Sequence, residues 1–396
     1  MTLIDGIVPG LRQALGIAPT RESSSAPMPT PAPRALRPAP GLDTFITRPP
    51  ASAPAIAPAP APAPIPPHAA AGHAAPPPPS AQPTASQGGG AAARPVTSSA
   101  RAVVHDMSVA DATGAAATLG TVDNLTGTGD AATAARNVQG GLDYYASTFG
   151  RSGLDGRGSN VDVLINDHTR DASGREIRRG NGGYYATARA DGSTYEAVYY
   201  GDGTSYQGAR GRVEQLTMLR ADDLAVHELT HGLIRKETGY LGGRANEAGA
   251  TNEAIADVMG ASATRDWTIG EGLYTDASAY RKLRDIAHPD APDAVHGLWT
   301  SMAQAQQAQA TGTPYEEHWA SGILSTAAYR MQQRIGGEAG WKAVEQVFYD
   351  VIDTNKLGDM SFATVASGVR AASTELYGAG SQVATVVDEE LRRGGL

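Results

Sequence analysis

The amino-acid sequence predicts an α+β fold in which a strand-rich part is followed by a helical part. Short runs rich in valine and tyrosine, bounded by glycine and aspartate, precede about residue 220. Beyond it, apolar residues recur at spacings of three and four, which is typical of amphipathic helices. The motif HELTH at residues 227–231 lies where the two patterns meet, so strands and helices are expected to be organised around it.

The individual elements follow in chain order. Ala102–Met107 (AVVHDM) and Val161–Asn166 (VDVLIN) are predicted strands. Between them, Asp130–Phe149 has apolar side chains on one helical face. Helical spacing in the second part predicts further helices at residues 319–335, 340–352 and 362–378.

The first 100 residues differ in composition from the rest. They contain all but three of the 26 prolines, and those three are Pro289, Pro292 and Pro314. Such a segment buries too little apolar surface to offset its chain entropy, so residues 1–100 are predicted to be a disordered Pro/Ala-rich leader or a short propeptide. An N-terminal α/β subdomain carrying HELTH (101–240) and a helical C-terminal subdomain (241–396) should follow.

Composition restricts the partners and the chemistry. A formal charge of -9 without a Lys/Arg cluster argues against nucleic acid. There is no cysteine, so a metal ion must be held by histidine and carboxylate side chains. No apolar run of about 18 residues is present, so no membrane span is expected. The N-terminal stretch MTLIDGIVPG carries an acidic residue where a secretory signal carries positive charge.

The HELTH motif predicts a zinc site. His227 and His231 are four residues apart on a predicted helix, so both imidazoles face one ion. Zinc in a hydrolytic site takes three protein ligands, and Glu253, in NEAIAD on the next helix, supplies the third. Asp257, one turn later, is placed to accept the second N–H of His227. The alternative for Glu253 and Asp257 is a solvated helix face.

Glu228 has a different role because it follows a metal ligand but points away from the metal. From there it can accept a proton from the attacking water and pass it to the leaving amine. Glu228 is therefore the predicted general base.

Several ordered segments resemble the thermolysin family of neutral zinc metallopeptidases, in its protealysin-like branch. They are LDYYASTFGRSGLDGRG, VDVLIN, NGGYY, HELTHG, NEAIAD, DWTIGEGLYT and HWASG. The resemblance implies a thermolysin-like zincin with a mixed-sheet N-terminal subdomain, a helical C-terminal subdomain and an active-site cleft between them. It further implies a zinc-dependent endopeptidase that acts on protein or peptide substrates.

The resemblance also implies roles for residues that spacing does not assign. His318 would stabilise the oxyanion, Arg284 would bind the substrate carbonyl on the leaving-group side, and Asn181 would hold the substrate backbone. The family lines an apolar pocket at the positions of Leu224, Ile269, Leu273 and Leu283. Cleavage before bulky hydrophobic residues is the implied preference.

Calcium is a second implied metal. Asp223, Asp266 and Glu271 match family calcium ligands, but Thr264 stands where a further carboxylate is expected. Because calcium prefers six to eight oxygens, these residues predict at most one weakened Ca²⁺ site. The alternative is that Asp223 and Glu271 only cap and brace helices.

The chain departs from the family pattern beside the metal. The family has an oxyanion-binding tyrosine between the two ligand helices, whereas this chain has Gly242, Gly243 and Arg244 near that place and Tyr240 shifted from it. Thr313 stands where the acidic partner of the catalytic histidine is expected, which leaves Glu316 or Glu317 as alternatives.

These departures keep two hypotheses open. The first is a monomeric zinc endopeptidase of a bacterium, secreted by a non-classical or host-injection route, with a cytoplasmic location as the alternative. The second is a thermolysin-fold binding module or injected effector with weak or no catalysis.

Overall fold

A computed structural model describes residues 97–110, 116–168, 180–188, 194–208, 211–240 and 245–396. The described residues belong to one compact unit. The predicted leader lies outside them except for its last four residues, 97–100, and so do Gly242, Gly243 and Arg244. The division of the chain at residue 240 stays a prediction.

A five-stranded mixed sheet forms the first half, in the order β2-β1-β3-β5-β4. The inner pairs β1–β3 and β3–β5 are parallel, whereas β1–β2 and β4–β5 are antiparallel. The strands are β1 (Ala102–Ala110), β2 (Ala116–Thr121), β3 (Val161–Ile165), β4 (Gly182–Ala188) and β5 (Thr194–Tyr200). The strands predicted at Ala102 and Val161 are confirmed, and β4 is an edge strand.

Alternation along β3 shows which face of this sheet meets the core. Val161, Val163 and Ile165 are buried in the main core, whereas Leu164 joins a smaller cluster with Tyr195 on the other face. Successive side chains of a strand point to opposite faces, which explains the division. Two hairpins follow in the chain: β6 (Thr204–Gly208) with β7 (Gly211–Gln215), and β8 (Thr268–Ile269) with β9 (Arg284–Asp285).

Helices make up most of the second half, as predicted. They are α1 (Asp130–Phe149), α2 (Asp222–Thr238), α3 (Glu247–Thr264), α4 (Met302–Ala310), α5 (Glu317–Ala320), α6 (Gly322–Ile335), α7 (Gly337–Asp353), α8 (Phe362–Tyr377) and α9 (Gln382–Gly394). Within the described ranges, none of these helices combines the length and apolar character that a membrane crossing requires.

The helix predicted at residues 319–335 is interrupted at Ser321. The Trp299 N–H donates to the Trp319 carbonyl at 2.8 Å, and that carbonyl is the acceptor a continuous helix would use for Ile323. A Cβ on Gly322 would lie 2.6 Å from the Trp299 carbonyl oxygen, so the glycine permits this close approach. The short helix α5 is thereby tied to the preceding loop.

Helices α2 and α3 pack against each other in opposite directions. Gly239, at φ 72°, ends α2, and the Asn246 side chain accepts the Gly249 N–H at 3.0 Å to begin α3. A Cβ on Gly260 would lie 2.9 Å from the carbonyl oxygen of Asp223, so glycine lets the two backbones come close. The facing residues of the two helices can therefore meet over a short distance.

Candidate metal centre and active site

Helix α2 presents His227 and His231 on one side. Their Nε2 atoms lie 3.0 Å apart, and the ring planes are inclined at 87°. Helical periodicity places side chains four residues apart on the same face, as the motif predicts. The hydroxyl of Thr230, on an adjacent side of the helix, is 2.6 Å from the Tyr145 hydroxyl of α1, which fixes the rotation of α2.

Helix α3 brings Glu253 to the same point. Its Oε2 lies 3.2 Å from His227 Nε2, and its Oε1 lies 3.5 Å from His231 Nε2. Within the described part of the chain, two groups of three histidine or carboxylate side chains bring their ligand atoms within 4.8 Å of one another. The other group is Glu316, Glu317 and His318, which are consecutive on one turn.

The dimensions of the first group fit a zinc ion. Zinc bound tetrahedrally at its usual bond lengths places neighbouring ligand atoms about 3.3 Å apart. The separations of 3.0, 3.2 and 3.5 Å span that value, and two imidazoles with one carboxylate are a donor set that zinc accepts. The cluster formed by His227, His231 and Glu253 thus suits one zinc ion.

Asp257 connects this cluster to Arg284. Its Oδ1 lies 3.0 Å from His227 Nδ1 and accepts hydrogen bonds from Arg284 Nη2 at 2.7 Å and Nε at 3.2 Å. Burial would raise the pKa of Asp257, but the charges and hydrogen bonds of Arg284 and His227 together outweigh burial and lower the pKa. A charged carboxylate therefore stands behind His227 and orients its ring.

Electrostatics in the cluster are set by buried carboxylates. Burial opposes a charged imidazole, but hydrogen bonds to Asp257 and Glu253 outweigh it and raise the pKa of His227 to about 10. Burial also opposes the charge of Glu253, yet neighbouring histidines, His318 foremost, hold its pKa well below the usual range. The carboxylates thus favour a positive charge at this point, which a divalent cation would supply.

Glu228 follows His227 in α2 and is only 7% exposed. At the end of β5, Tyr200 is buried, and burial together with the nearby carboxylates of Glu228 and Asp223 raises its pKa well above the usual value. Nothing in the sequence pattern identifies Tyr200, because strand β5 approaches α2 only through the tertiary fold.

His318 reaches the cluster from α5. Its Nε2 lies 3.7 Å from Glu253 Oε2, and its Nδ1 lies 2.5 Å from Glu316 Oε1. Burial lowers the pKa of His318, but the charges of Glu253 and Glu316 outweigh it and raise the pKa to about 9. The protonated imidazole is therefore favoured beside the cluster.

His296 is a further histidine beside the candidate site, and the sequence pattern does not reveal it. Its ring stacks on that of His318, with centroids 5.4 Å apart and planes 25° apart. Burial and the charge of His318 lower the pKa of His296 to about 3, so it stays neutral. His296 lies in the irregular segment that follows β9. No local periodicity in the sequence predicts the path of that segment.

Two family models match the chain. The model of the thermolysin metallopeptidase catalytic domain matches residues 96–235, and that of the alpha-helical domain matches residues 244–394. The chain belongs to the thermolysin family of metallopeptidases. This confirms the predicted family and its zincin fold.

Named relatives in the thermolysin family agree with this membership. The chain is 27% identical to neutral protease B of Bacillus subtilis (strain 168) over 265 residues, which are 66% of this chain and 44% of that protein. It is 28% identical over 240 residues to an extracellular elastase of Staphylococcus epidermidis, covering 60% of this chain and 41% of that protein. The chain therefore matches less than half the length of these two relatives.

A solved member with a similar fold is the precursor of protealysin, a metalloproteinase from Serratia proteamaculans. The TM-score is 0.56 at 21% identity, over 75% of this chain and 87% of that chain. At this identity the similarity concerns the fold alone.

The predicted substrate-binding residue Asn181 is exposed and directly precedes the edge strand β4. Its carbonyl accepts the Gly201 N–H at 2.8 Å, and its side-chain oxygen accepts the Gly182 N–H at 3.0 Å. A Cβ on Gly232 of α2 would lie 3.0 Å from Tyr184, so β4 packs on the helix that carries the histidines. The substrate-binding role of Asn181 stays a prediction.

The four leucine and isoleucine residues expected to line the apolar pocket are buried together. Leu224, Ile269, Leu273 and Leu283 are between 0% and 6% exposed. A Cβ on Gly270 would lie 2.8 Å from Leu283 Cδ1 and 3.1 Å from Leu273 Cδ1, so these two leucines converge on one glycine. All four belong to the main apolar core, and a preference for bulky residues stays a prediction.

The calcium candidates behave differently from the zinc candidates. Asp223 is 6% exposed, and its two oxygens accept the N–H groups of Leu224 and Gly270, each at 2.7 Å. Asp266 Oδ1 accepts the N–H and the hydroxyl of Thr268, both at 3.0 Å, and Glu271 is exposed. In the described ranges these three carboxylates do not form a metal-sized group. Asp223 braces the segment before β9, and calcium binding stays a prediction.

Proposed function

We propose that this protein is a zinc-dependent endopeptidase that hydrolyses peptide bonds in proteins. The supporting observation is the convergence of His227, His231 and Glu253 at separations suited to zinc. Asp257 stands behind this cluster and His318 stands beside it. Membership of the thermolysin family agrees with the proposal.

The metal ion, Glu228 and His318 have separate roles in the proposed reaction. When bound, zinc supplies the Lewis acidity that activates water and polarises the scissile carbonyl. Glu228, between the two histidines in sequence, accepts the proton of the attacking water and delivers it to the leaving amine. His318 donates from Nε2 to the developing oxyanion.

Arg284 acts on the leaving-group side of the substrate. Its Nε and Nη2 are held by Asp257, so the guanidinium has a fixed orientation next to the metal cluster. Its other nitrogen, Nη1, is not used by Asp257 and donates to a substrate carbonyl. Asp257 therefore orients both a metal ligand and a substrate-binding residue.

Substrate preference is assigned to four buried apolar residues and to the edge of the sheet. Leu224, Ile269, Leu273 and Leu283 receive the residue after the scissile bond, and cleavage precedes bulky hydrophobic residues. Asn181, at the start of β4, holds the substrate backbone. The enzyme acts as a monomer that is secreted by a non-classical route, and the extracellular elastase among its relatives agrees with secretion.

The variant Glu228→Gln tests the proposal. It keeps the size of the side chain but cannot accept a proton, so zinc content should stay at wild-type level while peptide hydrolysis falls by about 100- to 10,000-fold. Metal analysis and a peptide-cleavage assay with a chelator control measure the two. Asp222→Asn, an exposed carboxylate on the same helix, is the matched control and should retain activity. Full activity in Glu228→Gln would refute the assignment.

The same assay examines the alternative of a weakly catalytic binding module. That alternative is favoured by glycines and an arginine near the place of the family's oxyanion tyrosine. Zinc-loaded wild-type protein that binds peptides without cleaving them would support it.

A further inference from the structure

Glu316 stands at the turn that begins α5, and both of its carboxylate oxygens are engaged. Oε2 accepts the Trp319 N–H at 2.8 Å, which caps the helix. Oε1 lies 2.5 Å from Nδ1 of His318. Because the backbone bond fixes one oxygen, the other is held toward the imidazole.

This contact determines where the other edge of the ring lies. The opposite nitrogen of His318, Nε2, lies 3.7 Å from Glu253 Oε2 and therefore faces the metal cluster. One face of the ring is stacked on that of the buried His296, whose backbone N–H donates to the Leu283 carbonyl at 2.9 Å. Glu316 thus constrains the His318 imidazole at its Nδ1 edge, and His296, from a separate segment, constrains one face of the ring.

Two other residues near His318 are less suited to orient it. Thr313, where the family resemblance places a carboxylate, lies in the turn after α4, and its N–H is bonded to the Ala308 carbonyl at 3.0 Å. Glu317 belongs to the same turn as His318, but burial raises its pKa, which disfavours the charged form. In Glu316 burial also opposes the charge, but the charge and hydrogen bond of His318, with the Trp319 N–H, together outweigh it and lower the pKa.

We propose that Glu316 is the positioning residue of His318, holding Nδ1 so that Nε2 faces the polarised carbonyl of a bound peptide. Glu316 acts through the imidazole and does not touch the substrate. The carboxylate and the histidine are two residues apart on one turn, so the pair replaces a partner expected at position 313. The inference rests on the proposed peptidase function.

Two substitutions separate positioning from helix capping. Glu316→Ser keeps an oxygen that can accept the Trp319 N–H but is too short to reach the imidazole, whereas Glu316→Ala removes both contacts. In zinc-loaded protein both variants should lose roughly 10- to 100-fold in kcat with little change in KM, because orientation matters most in the transition state. Glu317→Gln, a neighbouring carboxylate outside this contact, should keep the wild-type kcat. Wild-type kcat in Glu316→Ser would mean that only the cap matters and would overturn the proposal.

A double-mutant cycle shows whether Glu316 acts through His318. In the His318→Ala background the added change Glu316→Ser should alter kcat by less than roughly twofold, because the group that it positions is gone. Equal losses in both backgrounds would indicate a general structural role and would refute positioning.

An NMR signal makes the test independent of hydrolysis. A strongly hydrogen-bonded imidazole N–H resonates at unusually low field, and histidine-labelled, zinc-loaded protein should show one such proton for His318. The signal should disappear in Glu316→Ser and in His318→Ala and persist in Glu317→Gln. If the signal follows this pattern but no variant or wild type cleaves peptides, the peptidase function fails and the contact stands. If zinc-dependent cleavage occurs and Glu316→Ser retains both signal and kcat, the positioning proposal alone fails.

Discussion

Two sets of acidic and histidine side chains at the α2–α3 helix pair were expected to bind metals, and they differ in what their atoms contact. In the first set, Glu253 turns both oxygens toward imidazole nitrogens of α2. In the second set, Asp223 gives both oxygens to backbone N–H groups. The carboxylate of Glu253 is thus available to a metal ion, whereas that of Asp223 is occupied by backbone donors, although both sets match family ligands in sequence.

The two carboxylates also differ in charge preference. Neighbouring histidines outweigh burial at Glu253 and hold its pKa well below the usual range. At Asp223, burial prevails over two backbone hydrogen bonds and raises the pKa to about 6. The helix pair therefore favours the charged form of Glu253 on α3 and stabilises the neutral form of Asp223 on α2.

The largest expected effect comes from removing the third ligand. Glu253→Gln should lower zinc affinity more than 100-fold and abolish hydrolysis, because an amide is a weaker ligand than a carboxylate and leaves two histidines alone. Zinc stoichiometry after dialysis measures the loss. The corresponding change in the second set, Asp266→Asn, should leave the stoichiometry unchanged. Equal zinc loss in both variants would show that the two sets are not distinct.

A smaller effect is expected at Asp257, which contacts the predicted ligand His227 on the side away from the metal. Asp257→Asn should weaken zinc binding by about 10- to 100-fold, because His227 loses the charged acceptor at its Nδ1. It should also raise KM, since Arg284 loses its anchor. Competition with a chromogenic zinc chelator gives the affinity, and steady-state assays at saturating zinc give KM. Unchanged affinity would place Asp257 outside the metal function.

The smallest effect is expected at Asp223 and concerns stability. Since its folded-state pKa is raised to about 6, the folded protein binds more protons there than the unfolded chain, so the free energy of unfolding falls as pH rises from about 4 to 6. The decline amounts to roughly 2–3 kcal/mol at most. Asp223→Asn removes it, so the difference between variant and wild-type unfolding curves should change over this window. An identical pH dependence in urea titrations would contradict the buried, neutral-favouring environment.

The sequence predicts regular parts of the site well and irregular parts poorly. His227, Glu228 and His231 follow from helical periodicity, and the residues of NEAIAD follow from the same rule on the next helix. His296 and the choice between Glu316 and Glu317 depend on how the segment after β9 folds back and on which carboxylate caps α5. Neither depends on a repeat that can be read along the chain.

The fold shows the same division. The strands at Ala102 and Val161 and the helix at Asp130 are confirmed because each has a clear local pattern. The sequence does not predict the interruption at Ser321, because it arises from a hydrogen bond donated by the distant Trp299. Tertiary hydrogen bonds of this kind override local propensity without leaving a signal in composition.

Gly260 connects the packing of two backbones to the spacing of the metal cluster. It allows α3 to approach the carbonyl of Asp223, where a Cβ would lie only 2.9 Å away. The same two helices carry Glu253 and the histidines His227 and His231, whose ligand atoms lie 3.0 to 3.5 Å apart. An alanine at position 260 is therefore expected to push the helices apart and to weaken zinc binding. A residue without a side chain would in that way help to set the dimensions of a site it does not touch.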